Sequence, residues 1–248
     1  MAGLSAVLPA FNEQEVIGQT VLAVDQALAK LVEDYEIIVV NDGSVDATAQ
    51  RLAALQQRCP SLRVQTHARN LGYGAALATG FNAASKELIF LTDGDKQFDV
   101  AQLAEFWPLP PDVDLYIGYR SPRADPPLRR LFGWCWSLLV SGLFGDTARD
   151  VDCAFKLFRR EIWQRLEIKS RGATFSAELL VKALRVGYRV RERPVRHYPR
   201  PAGSPTGARP AVIARAFKEL FRLRRDLAVE LASSEAAYQA RQQPGTVR

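Results

Sequence analysis

From the amino terminus to about Arg120 the chain repeats one rhythm: a short apolar run, a polar turn, then an amphipathic stretch. Leu4–Leu8 reads as a first strand that Pro9 stops, and Val16, Ile17, Leu22, Val24, Leu28 and Leu31 mark a helix within Glu13–Val32. Tyr35–Val40 is a second strand. Asn41-Asp42-Gly43-Ser44 is a turn, and a helix follows from Asp46 to about Arg58 with Ser44 or Asp46 as its N-cap. Arg63–Thr66 is a short strand, and Asn70-Leu71-Gly72-Tyr73-Gly74 turns into a helix over Ala75–Ala84. Leu88–Leu91 and Asp114–Gly118 are the next strands. Strand and helix in alternation predict an α/β fold, a mostly parallel sheet with helices on both faces.

The rhythm then loosens. Ser121–Pro127 is a polar, proline-rich loop and Leu128–Phe144 is helical; Phe155–Phe158 is a strand candidate, Phe175–Val186 a helix and Tyr188–His197 a strand with alternating Arg. Pro199–Pro205 is a loop, Ala211 to about Leu231 a basic helix, and Ser233–Arg248 a polar tail. The pattern contains no internal repeat, so residues 1–232 are expected to form one domain and 233–248 a tail.

With 248 residues, 48% of them hydrophobic and 24% charged, the chain can bury a full core. Cys59, Cys135 and Cys153 are odd in number, far apart and without a CxxC pair, and read as reduced, mostly buried thiols of a cytosolic protein. Two histidines, His67 and His197, exclude a histidine-rich metal cluster. Leu4–Pro9 is too short for a signal core, and Leu131–Phe144 is interrupted by Gly133, Ser137, Ser141 and Gly142, so no membrane span is expected. The net charge of +6 is uneven: between Arg185 and Arg225 twelve Arg or Lys face Glu192 and Glu219. That block suits anionic lipid, a phosphorylated substrate, or simply solvent. It lacks a stacking platform for nucleic acid.

The sharpest chemical signal is Asp93-Gly94-Asp95, set directly behind the apolar run Leu88–Leu91. In open α/β sheets ligands bind just beyond the carboxyl ends of the strands. Two carboxylates there suit a hard divalent ion, Mg²⁺ or Mn²⁺, which is usually held by one or two acids together with substrate phosphates. Pro9–Glu13 and Asn41–Asp46 end two further strands, and in a parallel sheet all three turns must line one edge. Together they offer polar groups for a base and ribose, then a metal for a diphosphate.

These motifs resemble the family 2 glycosyltransferases, with the GT-A nucleotide-sugar-binding fold, over roughly Leu4–Ser204. Pro9–Glu13 is similar to that family's first strand-end motif, Asn41-Asp42-Gly43-Ser44 to its Asp-Gly-Ser turn, and Asp93-Gly94-Asp95 to its DxD motif. Within the family the chain most resembles the dolichyl- and polyprenyl-phosphate sugar synthases. Gln97, Gly118-Tyr119-Arg120, Arg129-Arg130, Asp152–Arg159, Glu178-Leu179-Leu180, Gly187–Val190, Pro194-Val195 and Arg200–Ser204 carry that likeness. It departs where Phe98-Asp99-Val100 stands for the synthases' usual His-Pro-Pro, and where Pro205 stands for Lys.

The resemblance implies that Asp93, Asp95 and Gln97 hold the divalent ion, and that Pro9, Asn12, Glu13, Asp42, Gly72, Asp93 and Gly94 line the donor site. It also implies that Asp95 and Asp152 are catalytic and that Arg120, Arg129, Arg130, Arg200 and Ser204 grip an acceptor phosphate, as the planar fork of Arg suits. Several positions keep a second reading. Gln97 could cap the next helix, Glu13 could complement a helix dipole, and Gly72 with Gly74 could serve tight packing. Asp152 could be a helix cap or the partner of Arg149 or Lys156.

Arg129 and Arg130 followed by Phe132, Trp134 and Trp136 suit a helix lying in a membrane interface, so residues 120–145 are expected to meet acceptor and lipid. Gly133, Ser137, Ser141 and Gly145 make a small-residue face that suits packing on another helix; burial in the domain's own core is the alternative. The implied reaction is an inverting transfer of a hexose from GDP- or UDP-hexose to a polyprenyl phosphate, peripheral to the cytosolic membrane face. A soluble hydroxyl acceptor and a non-catalytic nucleotide-sugar-binding module are the competing readings.

Overall fold

The computed structural model describes residues 2–201 and 214–228. Four strands open the sheet: β1 (Leu4–Ala10), β2 (Tyr35–Asn41), β3 (Leu62–Thr66) and β4 (Leu88–Leu91). β5 (Leu115–Arg120), β6 (Lys156–Arg159) and β7 (Val190–Val195) complete it. The seven strands lie in the order β3-β2-β1-β4-β6-β5-β7. Only β6 runs against its neighbours β4 and β5; every other pairing is parallel.

Buried strand residues alternate between the two faces, as a fully covered sheet requires. Ala6, Leu8, Ile37, Val39 and Phe90 pack with Ile17, Val21, Val24 and Leu28 of α1 (Ile17–Leu31) and Leu52 of α2 (Thr48–Gln56). Val7, Ile38, Val40, Ile89 and Leu91 pack on the opposite face with α3 (Tyr73–Ala83) and α6 (Phe175–Val186). That second face also receives Val140 of α4 (Pro127–Phe144), Ile162 of α5 (Arg160–Arg165) and Leu220, Leu223 and Leu227 of a helix over residues 214–228, α7.

Two boundaries move for clear reasons. β1 continues through Pro9 instead of stopping there. Its backbone nitrogen faces the β4 side, where the ladder has already ended at Val7 and Leu91, so no strand hydrogen bond is lost. Helix α1 starts at Ile17, not Glu13, because residues 13–16 form a turn in which the Glu13 carbonyl accepts from Val16 and Ile17.

Candidate active site

The strand ends converge as the sequence requires. Ala10 and Asn41 are paired neighbours, Val7 pairs with Leu91, and the turns after β1, β2 and β4 share one edge. Side chains stitch the first two turns together. The Asn12 backbone N–H donates to Ser44 Oγ at 2.9 Å, and the Asn12 carbonyl oxygen Oδ1 accepts from the Val45 N–H at 2.9 Å. The Glu13 N–H donates to Thr48 Oγ1 at 2.9 Å, and Asp46 accepts from the Thr48 N–H at the start of α2. Asn12 holds φ at +57°, a left-handed conformation Asn tolerates better than most residues.

Asp42, expected to line the donor site, is drawn inward. Its Oδ1 accepts from the Leu71 N–H and lies 2.7 Å from His67 Nδ1, and its Oδ2 accepts from the Gly72 N–H at 2.9 Å. The carboxylate therefore braces the turn ahead of α3. Gly72, with φ +101°, and Gly74 allow a close approach, but it is made by the chain itself. A Cβ on Gly74 would stand 2.8 Å from the Arg171 carbonyl carbon and 2.9 Å from Phe175 Cβ. These contacts fit the packing reading of the glycine pair.

The acids after β4 form the electrostatic centre. Gly94 brings the turn against β1, where an added Cβ would meet the Pro9 carbonyl at 3.0 Å, and the Gly94 carbonyl accepts from Thr20 Oγ1. Asp93 accepts from the Tyr73 hydroxyl at 3.2 Å. Burial and the neighbouring Asp95 charge push Asp93 up to about 7. Burial also raises Asp95, against the pull of Arg200. Arg200 lies 3.3 Å from Asp95 Oδ2 and also donates to Glu13 Oε1. Glu13 is buried, its carboxyl raised by desolvation, and its Oε2 has no hydrogen-bond partner.

Such a set fits a divalent cation: two adjacent carboxylates are held where each disfavours the other's charge, beside an orphaned acid oxygen. Among the described residues no three His, Cys, Asp or Glu side chains form a complete cage. Gln97 is held from its nitrogen side, which leaves its amide oxygen as the atom that could face a cation. Its amide Nε2 donates to the Tyr198 carbonyl at 3.1 Å and its backbone N–H to Asp95 Oδ1. It neither caps a helix nor displays its amide nitrogen, and ties the Tyr198–Arg200 segment to the acid turn.

Asp152 stands in the turn before β6, open to solvent yet set among protein atoms that push its carboxyl up to about 6, against the attraction of Lys156 and Arg120. It is neither a helix cap nor the ion-pair partner of Arg149 or Lys156. Arg149 pairs with Glu192, and Lys156 donates to the carbonyls of Val151 and Cys153. Lys156 is thus a buried ammonium under the turn that presents Asp152, its pKa lowered by burial.

At the end of β5 and beyond it, three arginines interlock with two aspartates. Arg120 donates from Nε and Nη2 to both Asp150 oxygens, each at 2.6 Å. Burial of Arg120 is outweighed by Asp150, so its charge is held firmly. Arg123 Nε reaches Asp125 Oδ2 at 2.6 Å, and Arg129 Nη1 lies 3.3 Å from Asp125 Oδ1. Arg120 is therefore engaged by carboxylates through Nε and Nη2. Arg130 is exposed, with no ion pair among the described residues. Ser204 lies outside the described residues, as does most of the expected Pro199–Pro205 loop.

Helix α4 buries only Ser137 and Val140, while Phe132 is 57% exposed and Trp134 61% exposed, with Leu128, Leu131 and Leu138 also open. Its small-residue face does not await another helix. Ser137 Oγ accepts from the Val151 N–H, Ser141 pairs with Thr147, and Gly133 faces the Arg123 guanidinium. Cys135 is exposed, unlike Cys59 and Cys153. Much of the basic block is ion-paired: Arg189 with Asp114, Arg191 with Asp112, Arg196 with Asp99 and Arg215 with Glu219. No helix among the described residues is long and apolar enough to cross a membrane.

Sequence reasoning passed over Tyr73, Arg123, Asp125, Asp150 and His197. Only Asp125, four residues before Arg129, offered a local signal. His197 joins the site through a bridge to Phe98 and accepts from the Ala124 N–H, and burial lowers its pKa to about 4, helped by Arg120 and Arg123.

Comparison with known proteins places this geometry. The sequence profile of glycosyl transferase family 2 matches residues 5–166. A dodecaprenyl-phosphate galacturonate synthase of Rhizobium johnstonii is 32% identical over 174 residues, 66% of this chain and 50% of that protein. A dolichyl-phosphate beta-glucosyltransferase of Trichomonas vaginalis is 30% identical over 211 residues, 76% of this chain and 62% of that one. The chain thus spans about half to three-fifths of the length of these curated relatives. Glucosyl-3-phosphoglycerate synthase from Mycobacterium tuberculosis, solved with Mn²⁺, UDP and phosphoglyceric acid, superposes with a TM-score of 0.70 at 19% identity, over 90% of this chain and 78% of that one. That likeness shows a shared GT-A fold.

Proposed function

The chain belongs to glycosyl transferase family 2, and from that premise we propose that it transfers a hexosyl group from a nucleoside-diphosphate sugar, with GDP or UDP as the nucleotide, to a polyprenyl phosphate, inverting the anomeric centre. The observation that carries the reading is that Asp93 and Asp95, at the end of β4, lie within electrostatic reach of Arg120 and Arg129, which interlock with Arg123 through Asp125 and Asp150. The names of the relatives, a dodecaprenyl-phosphate synthase and a dolichyl-phosphate transferase among them, support a lipid phosphate as the acceptor class.

Asp93 and Asp95 would hold Mg²⁺ or Mn²⁺, with Gln97 beside them. When bound, the ion neutralises charge that develops on the departing diphosphate. Tyr73 fixes the orientation of Asp93. Asn12, Ser44 and Asp46 hold the two nucleotide-side turns at a set spacing, and Asp42 shapes the wall at Leu71 and Gly72. Asp152 faces the reacting centre from the turn before β6 and orients the sugar. Arg120, Arg129, Arg130 and Arg200 supply positive charge for the acceptor phosphate. A phosphate monoester, with a second pKa of about 6, is already mostly dianionic at neutral pH, so it needs positioning more than deprotonation.

The exposed face of α4 and the basic residues near it suit contact with an anionic membrane surface, where such an acceptor resides. The reduced thiols suit the cytosolic side. The test is transfer from a panel of radiolabelled GDP- and UDP-hexoses to farnesyl phosphate. Product with a lipid phosphate, and none with farnesol, supports the reading; product with soluble hydroxyl acceptors alone overturns it.

A further inference from the structure

Arg123 is not among the acceptor residues that the family likeness supplies, yet it belongs to the same ion-pair cluster as Arg120 and Arg129. Its Nε donates to Asp125 Oδ2 at 2.6 Å and its Nη1 stands 3.8 Å from Asp150 Oδ1. Where Arg120 commits Nε and Nη2 to Asp150, Arg123 commits only Nε at hydrogen-bonding distance among the described residues. Its two terminal nitrogens remain as donors. They lie against α4 at one position, Gly133: a Cβ there would stand 2.6 Å from Nη1, 2.8 Å from Nη2 and 3.0 Å from Cζ. Glycine in mid-helix is an unfavourable choice, and here its missing side chain is the space that the guanidinium fills.

Charge supports a ligand at this place. Arg120, Arg123 and Arg129 share Asp125 and Asp150, which leaves one net positive charge before exposed Arg130 adds another. The two aspartates fix the guanidinium planes while a dianion would complete the balance. Planar forks held this way present paired N–H groups to phosphate oxygens.

We propose that Arg123 is a further acceptor-phosphate-binding residue and that Gly133 is the seat that aims it. The inference rests on the acceptor side of the proposed function and adds to it the recognition of a phosphate monoester by the 121–133 hairpin of loop and helix. Two substitutions test it. Arg123→Ala removes the donors. Gly133→Ala leaves Arg123 in place chemically but puts a methyl where its guanidinium lies. Because the clash falls on the far end of a flexible side chain and Ala favours helix, this variant should melt no lower than the wild type.

Binding of farnesyl phosphate and of 3-phosphoglycerate, followed by calorimetry, separates the two sources of a phosphate monoester. Both variants should weaken farnesyl phosphate by about tenfold or more, the usual consequence of losing one charge-assisted contact. Arg123→Lys combined with Gly133→Ala should recover part of that loss, since the slimmer ammonium passes beside the methyl. Wild-type binding that neither variant moves overturns the inference alone. Binding of 3-phosphoglycerate but not farnesyl phosphate, weakened by the same variants, keeps the inference and overturns the lipid acceptor. No binding of either compound overturns both.

Discussion

Arg200 reaches Asp95 from the far side of the site, its Nη1 3.3 Å from Asp95 Oδ2, while its other terminal nitrogen closes on Glu13. A guanidinium therefore sits against the very acids that suit a divalent ion. The two positive charges compete for one carboxylate, so Arg200→Ala should tighten Mn²⁺ binding by about fivefold or more, the effect of removing one nearby unit charge. Paramagnetic titration with Mn²⁺ reads this directly. Unchanged or weaker affinity would mean that Arg200 organises the acids instead of competing for them. Asp95→Asn should abolish both Mn²⁺ binding and transfer, and a chelator should stop transfer until Mg²⁺ or Mn²⁺ is restored. Full activity in excess chelator removes the metal from the mechanism.

Gly74→Ala should destabilise the fold by about 1–3 kcal/mol, as overpacking does. The added methyl would meet the Arg171 carbonyl carbon at 2.8 Å and Phe175 Cβ at 2.9 Å, both in firmly placed backbone or near-backbone positions. Segment 169–171 has little room to yield because Glu178 accepts from the Lys169 and Ser170 N–H groups. Denaturant unfolding measures the loss. A stability equal to wild type would show that the segment moves freely, and would return Gly74 to consideration as a donor-contact position.

What the chain displayed in sequence depended on how local the physics was. Asp93 and Asp95 were legible because an apolar run, a glycine and two acids are contiguous, and the parallel sheet then fixed which turns must meet. Lys156 sat visibly among Phe155, Leu157 and Phe158, but its partners, the carbonyls of Val151 and Cys153, belong to a turn no pattern reveals. Asp42 shows the opposite limit. Its strand-end position was legible, yet the amides that capture it come from residues 71 and 72, brought there only by packing. The small stripe of α4 carried the right signal for close approach and the wrong partner. Spacing four marks a face, and only the folded chain says that loops 121–125 and 147–151 cover it.

The exposed side of α4 makes a direct prediction about membranes. Leu131, Phe132, Trp134 and Leu138 are open to solvent on a helix whose other side packs in the domain. Phe217 and Phe221 of α7 are exposed too, and Phe217 meets Trp136 edge to face at 6.0 Å. The protein should sediment with vesicles rich in phosphatidylserine, and Trp134→Glu with Leu138→Glu should release it without lowering its melting temperature. Raising salt should weaken binding in part, by screening the arginines, and leave an apolar remainder. Sedimentation that is absent even at low salt would detach this face from lipid and strengthen the soluble-acceptor reading.

Asp152 distinguishes the acceptor chemistries, though not through the wild-type pH profile alone. Its carboxyl is raised to about 6 because the protein atoms packed around it disfavour the charged form. A base must be ionised to act, so with a hydroxyl acceptor kcat should rise with pH through about 6 and level off above it. A phosphate-monoester acceptor gives a limb in the same place for a different reason, since its own second pKa is about 6. Asp152→Asn separates them. If the acceptor is a lipid phosphate, the variant should be slower through lost sugar orientation but keep the limb, because the limb belongs to the substrate. If the acceptor is a hydroxyl, the limb should vanish together with about 10²–10⁴-fold of the rate, the usual worth of a general base. Measuring kcat against pH for both proteins with farnesyl phosphate and with a hydroxyl acceptor decides the point. A limb that disappears in the variant would overturn the dianion argument and make Asp152 the base.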